Sequence, residues 1–153
     1  MKTLSTARDR EEILFRLREV TPESPRLWGR MSAHQMICHL SDSFRMAIGQ
    51  KPVSHIGGPL QQRFIRWVAL YLPVRWPAGR IRTRPEIDQE AFGTPPLNFD
   101  ADLAELEALF TMVTAEPRSL EWQPHPIFGP MSHAAWLRWG YLHMDHHLRQ
   151  FRK

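Results

Sequence analysis

In five separate stretches of this chain, apolar side chains return every three or four residues, and nowhere do they alternate. That period belongs to helices with one buried face. The clearest case is DADLAELEALFTMVTAE, residues 100–116, where Leu103, Leu106, Leu109, Phe110 and Val113 line one side and Asp100 stands as the cap. Residues 9–20 place Ile13, Leu14, Leu17 and Val20 in the same way, with acidic residues crowding the front, where a helix dipole favours them. In residues 28–49, Ser32 followed by Gln35 reads as a capping box; Met36, His39, Leu40, Ser43 and Ala47 then share a face until Gly49 and Pro52 close the helix. Residues 60–72 carry a stripe of Leu60, Phe64, Trp67, Val68 and Tyr71, stopped by Pro73. The last helix starts from Ser132 and runs to about Gln150.

Five helical segments without a strand predict an all-α protein, a four-helix bundle plus a short extra helical segment. Residues 73–99 hold five of the thirteen prolines and no period of either kind. A connection that long suits a crossover rather than simple up-and-down order. At 153 residues the chain, 1–153, reads as a single domain able to bury one core.

Composition narrows the partners. A net charge of +4 attracts anions weakly and does not define a nucleic-acid binder, and no recognition helix or aromatic strand platform accompanies it. Cys38 is the sole cysteine, so no intramolecular disulfide forms. The opening MKTLSTARDREE has no apolar run after its lysine, unlike a secretory signal. The stretch FIRWVALYLPV, 64–74, is too short to span a bilayer and contains Arg66. The expectation is a soluble, cytoplasmic protein with no membrane or nucleic-acid partner.

The chemistry concentrates at the C-terminus, in HMDHHLRQF, 143–151. A helix turns about 100° per residue, so Trp136, Trp139, His143, His147 and Gln150 fall along one seam. The tryptophans face the core, and the seam carries His143 and His147 in with them. Their i,i+4 spacing sets two imidazoles one turn apart, close enough to chelate one ion. His146, three residues from His143, is the rival second ligand. Zinc needs a third, and His39 is the candidate, since it shares a face with Met36 and Leu40. His39 stands seven residues after Ser32 and His143 eleven after Ser132, so both leave their caps at nearly one angle. His34 turns to another face, and Cys38 points away from His39. The competing reading is ordinary: a core histidine that is merely hydrogen-bonded, and a basic helix end that suits the dipole.

The stretches HPIFGPMSHAAWLRWGYLHMDHHLRQF and WGRMSAHQMICHLSD resemble the two histidine-bearing segments of the DinB/YfiT-like superfamily, and more narrowly a subgroup of unknown function within it. The resemblance implies a crossover four-helix bundle, often dimeric, here a homodimer. It implies a site of His39, His143 and His147 for a divalent metal, zinc or nickel, with open coordination positions. It further implies a metal-dependent hydrolase or a transferase of low-molecular-weight thiols acting on a small molecule. The alternative is a non-catalytic helical bundle that binds metal or a small ligand. Three neutral imidazoles leave such an ion its double charge, which acidifies a bound water or thiol. No general base stands out. Asp42, one turn after His39, reads as a solvated or orienting carboxylate, Asp145 points away, and Gln150 lies within reach of His147. Arg75, Arg80, Arg82 and Arg84 are placed to gather an anionic substrate, or simply to solvate a loop.

Overall fold

The computed structural model describes residues 1–73, 75–79, 83–115 and 120–153. Among them are five α-helices and no strand: α1 (Ala7–Arg18), α2 (Ala33–Ala47), α3 (Pro59–Tyr71), α4 (Phe99–Thr114) and α5 (His133–Gln150). A 3-10 turn, Pro85–Ile87, interrupts the connection between α3 and α4. None of the helices is long and apolar enough to cross a membrane.

Each start follows from local chemistry. Ser32 accepts the Gln35 amide while Gln35 returns a bond to the Ser32 amide, so two otherwise orphaned donors are satisfied. Ser132 caps α5 through the Ala135 amide. Helix α4 begins earlier than the sequence suggests. Asn98, not Asp100, is its cap and accepts the Ala101 amide at 3.0 Å, while Asp100 sits in the first turn.

Packing is led by α2 against α4 and α1 against α5, with α2 and α3 also meeting α5. One core gathers Ile13, Leu17, Met36, Leu40, Leu106, Phe110, Met144 and Leu148. A second joins Met46, Leu70, Phe128, Trp136 and Trp139. The N-terminal segment lies close on α5, where a Cβ on Gly140 would sit 2.9 Å from the Leu4 side chain. That contact accounts for a glycine in the middle of a helix.

Helix α3 departs from expectation. Of its apolar stripe, Leu60, Phe64, Trp67 and Tyr71 are 85%, 66%, 53% and 45% exposed. The helix is apolar on two sides, and it is the side of Leu70, with Ile65 and Ala69, that joins the second core. Periodicity identified the helix but could not say which apolar side faced inwards.

Candidate metal centre

Where α2 meets α5, three imidazoles turn toward a common point. His143 Nε2 lies 3.2 Å from His39 Nε2 and 3.2 Å from His147 Nε2. His39 and His147 are buried and His143 half-buried. The Trp139 ring stacks on His143 at 4.7 Å, and Trp76 lies 6.2 Å from the same ring.

Protons decide what this cluster can do. His39 Nδ1 is 2.7 Å from the Ile87 carbonyl. A carbonyl only accepts, so Nδ1 carries the proton and Nε2 keeps a lone pair. His147 is fixed by a longer chain. The Gln150 amide nitrogen donates to the Trp28 carbonyl at 2.7 Å, which turns its oxygen toward His147 Nδ1 at 3.1 Å. His147 Nδ1 therefore donates, and its Nε2 also keeps a lone pair. One proton on His143 Nε2 can serve only one of the two contacts. Burial lowers the pKa of all three rings, and for His143 and His147 burial, with the neighbouring histidines adding to it, takes it well below the usual value. The three rings are therefore neutral at neutral pH, and the cluster holds more inward lone pairs than protons.

The donor set fits a divalent ion. Zinc–nitrogen bonds of about 2.0–2.1 Å set two nitrogens on one ion roughly 2.9–3.4 Å apart, and the observed contacts fall in that interval. Ligating histidines characteristically donate their other nitrogen to a carbonyl or carboxylate, as His39 and His147 do here.

His146 does not join the three. Its ring lies 5.2 Å from His147 and packs toward Trp28 and Trp76, and its Nδ1 is enclosed without a partner among the described residues. The cluster opens on a cavity of about 440 Å³ lined by Met46, Phe64, Ile65, Val68, Trp76 and Ile127 among others, with Arg75 and Arg84 in its wall. Arg80 and Arg82 lie outside the described residues.

The carboxylates differ from expectation. Asp42 is fully buried rather than solvated, and it does not orient His39. It accepts from the Thr94 amide and hydroxyl, from Lys51, Arg45 and Gln89, tying the α3–α4 connection to α2. Burial alone would raise its pKa, but Thr94 and Lys51 bring it below the ordinary carboxylate range. Asp145 pairs with Arg16 and Arg149, away from the cluster. Gln150, on the seam that carries His143 and His147, is only 2% exposed.

A second group lies on another face of α2. His34 Nε2 is 2.6 Å and Cys38 Sγ 3.7 Å from Asp102 Oδ2, on α4. Burial, then Asp102, pushes the Cys38 thiol up to about 12.

Two contributors escaped the sequence reading. Ile87 orients His39 through its backbone, from a stretch with no period. His125 lines the cavity from the run HPIFG, where a histidine between two prolines, four residues before a glycine, was a visible sign of a tight turn.

Residues 9–153 match a family described as a protein of unknown function (DUF1569), and the chain belongs to that family. This corrects the resemblance to the DinB/YfiT-like superfamily. That resemblance rested on two short stretches, whereas the match spans nearly the whole chain and defines a distinct family. No curated protein and no solved structure matches the chain.

Proposed function

We propose that the protein is a divalent-metal-dependent enzyme acting on a small molecule, with His39, His143 and His147 as the ligands and zinc or nickel as the ion. One observation carries this reading: three neutral imidazoles, two of them buried and one half-buried, face one another with too few protons to satisfy them. A cation resolves that surplus of lone pairs; hydrogen bonding alone does not. When bound, the ion supplies Lewis acidity toward water or a thiol, consistent with hydrolysis or thiol transfer. The chain's own residues do the rest. Ile87 and Gln150 hold two rings in the donating tautomer, Trp76 and Trp139 wall the cluster, and the cavity offers an apolar bed for a substrate.

The packing of α1, α2, α4 and α5 supports a four-helix bundle, with the long excursion through α3 as its crossover. The outward stripe on α3 supports a second copy of the chain as partner.

Elemental analysis of untagged protein tests the assignment. About one equivalent of zinc or nickel is expected in the parent, with affinity falling more than about a hundredfold in His39→Ala and in His147→Ala. Equal metal content in parent and variants would remove the proposal. A non-catalytic metal-binding bundle is the outcome if metal is held but no ester or thiol substrate turns over.

A further inference from the structure

The cavity beside the histidine cluster has polar atoms that the three ligands do not account for. His125 is the most constrained of them. Its backbone closes a loop on itself, with the His125 amide bonding the Gly129 carbonyl at 2.9 Å and the reverse bond at 2.8 Å. Gly129 turns this loop at φ 67°, and a Cβ there would meet the Gln62 side chain at 2.5 Å. Inside the loop the His125 ring folds back, and its Nδ1 accepts the Ile127 amide at 3.1 Å and the Phe128 amide at 3.2 Å. Two backbone donors on Nδ1 leave no room for a proton there. The proton must sit on Nε2.

That N–H is held in place but not used. The ring is 5% exposed and packed on Phe128, Trp136 and Trp139 at 4.4, 5.5 and 5.2 Å. Trp139 stacks on His143 as well, so one indole separates His125 from the cluster. No acceptor among the described residues takes the Nε2–H. Burial pushes the pKa of the ring down to about 3, with His55 adding to it, so it stays a neutral donor. A second donor shares the wall: Arg84 Nε is enclosed without a partner among the described residues, while the same guanidinium reaches Ser54. Among the described residues no carboxylate lines the cavity. Its remaining surface is chiefly aliphatic and aromatic.

We infer that His125 is a ligand-anchoring residue, a fixed Nε2–H donor, and that the cavity takes a compound with an apolar body and a carbonyl or carboxylate oxygen. The inference rests on the cavity being the substrate site of the proposed enzyme, and names the class of that substrate. A neutral imidazole N–H polarises a carbonyl oxygen without giving up a proton. The same donor binds a carboxylate.

The test uses the full-length protein with ¹⁵N-labelled histidine, as purified and again after chelation, with hexanoate and hexanamide as probes and hexylamine as control. The parent should show His125 protonated at Nε2 and bare at Nδ1, and hexanoate or hexanamide should move that Nε2–H resonance. His125→Asn keeps an acceptor for the two loop amides but loses the reach into the cavity. It should bind the probes about tenfold more weakly, with an unchanged melting transition. His125→Gln places an amide nitrogen near the lost Nε2 and should recover most of that loss. Protonation at Nδ1, probes that leave the resonance still, preference for hexylamine, or an Asn variant that binds like the parent would each overturn the inference. If a variant loses its melting transition, the parent spectra decide. Failure of the metal assignment is read separately, as zinc that leaves the His39, His143 and His147 resonances unmoved.

Discussion

Helix α2 presents two groups of side chains that could hold a metal, and they differ in proton balance rather than in proximity. On one face His39 joins His143 and His147; on another His34 and Cys38 meet Asp102. In both, the ligand atoms lie within 4.8 Å of one another. Around Asp102 the accounts close. Its Oδ2 accepts from His34 Nε2, from Cys38 Sγ and from the Leu97 amide at 3.0 Å. Three donors surround one acceptor, and a cation would displace bonds already made. Around His143 two rings are committed as acceptors and a single proton lies between them. Closeness of histidine, cysteine and carboxylate is therefore a poor criterion by itself, and the tautomers set by outer partners are a better one.

The contrast is most easily broken by heat. Zinc at a hundred times its Kd adds about 2.7 kcal/mol to a protein that binds it only when folded, roughly 5–10 °C in Tm for a chain of this size. His143→Phe should abolish that rise and leave the metal-free Tm within roughly 4 °C, because the ring still packs on Trp139 and Trp76. Differential scanning calorimetry reads both. A zinc-dependent rise that survives in His143→Phe would erase the distinction between the two faces.

Asp102→Ala should behave in the opposite way. It leaves His34, Cys38 and the Leu97 amide without their acceptor, at a cost of about 1–3 kcal/mol, and it leaves zinc binding intact. The acid limb sharpens the point. Burial would raise the Asp102 carboxyl, but the Leu97 amide and His34 hold it below its ordinary value of 3.8. A depressed folded pKa gives stability that is present above the unfolded pKa and lost as pH falls through the folded one. Parent stability should thus decline below about pH 4 more steeply than that of the alanine variant, as urea midpoints across pH 2–7 would show. Parallel acid limbs would mean that Asp102 contributes nothing as an anion.

Much of this was legible in the sequence. The five helices, the Ser32 and Ser132 caps and the three histidines follow from period and spacing, because a helix face repeats every three or four residues whatever it packs against. What escaped depends on partners distant in sequence. Asp42 is buried because Thr94 and Lys51 come to it, and no local pattern encodes that meeting. The α3 stripe marked a helix without saying which of its sides turns inwards, because an apolar face has no label for core or surface. Asp100 looked like the α4 cap only because Asn98 lies outside the apolar period. The likeness to the DinB/YfiT-like superfamily weighed two short stretches above the remainder of the chain.

The smallest effect tests the outer partners themselves. Gln150 lies neither in the cavity wall nor at the ligand point, yet its amide spans from the Trp28 carbonyl to His147 Nδ1. Gln150→Ala removes the acceptor that holds the His147 proton on Nδ1, so the ring is free to move it to Nε2 and lose the inward lone pair. Second-partner losses of this kind cost about tenfold to a hundredfold in metal affinity, and the lower figure is expected because His39 stays fixed by Ile87. Gln150→Glu keeps an acceptor for His147 Nδ1 but loses the donor to the Trp28 carbonyl, so its affinity should fall between that of the alanine variant and the parent's. Titration calorimetry with zinc separates the two variants. An alanine variant as tight as the parent would show that His147 needs no help to face inward, and the surplus of lone pairs would then rest on His39 alone.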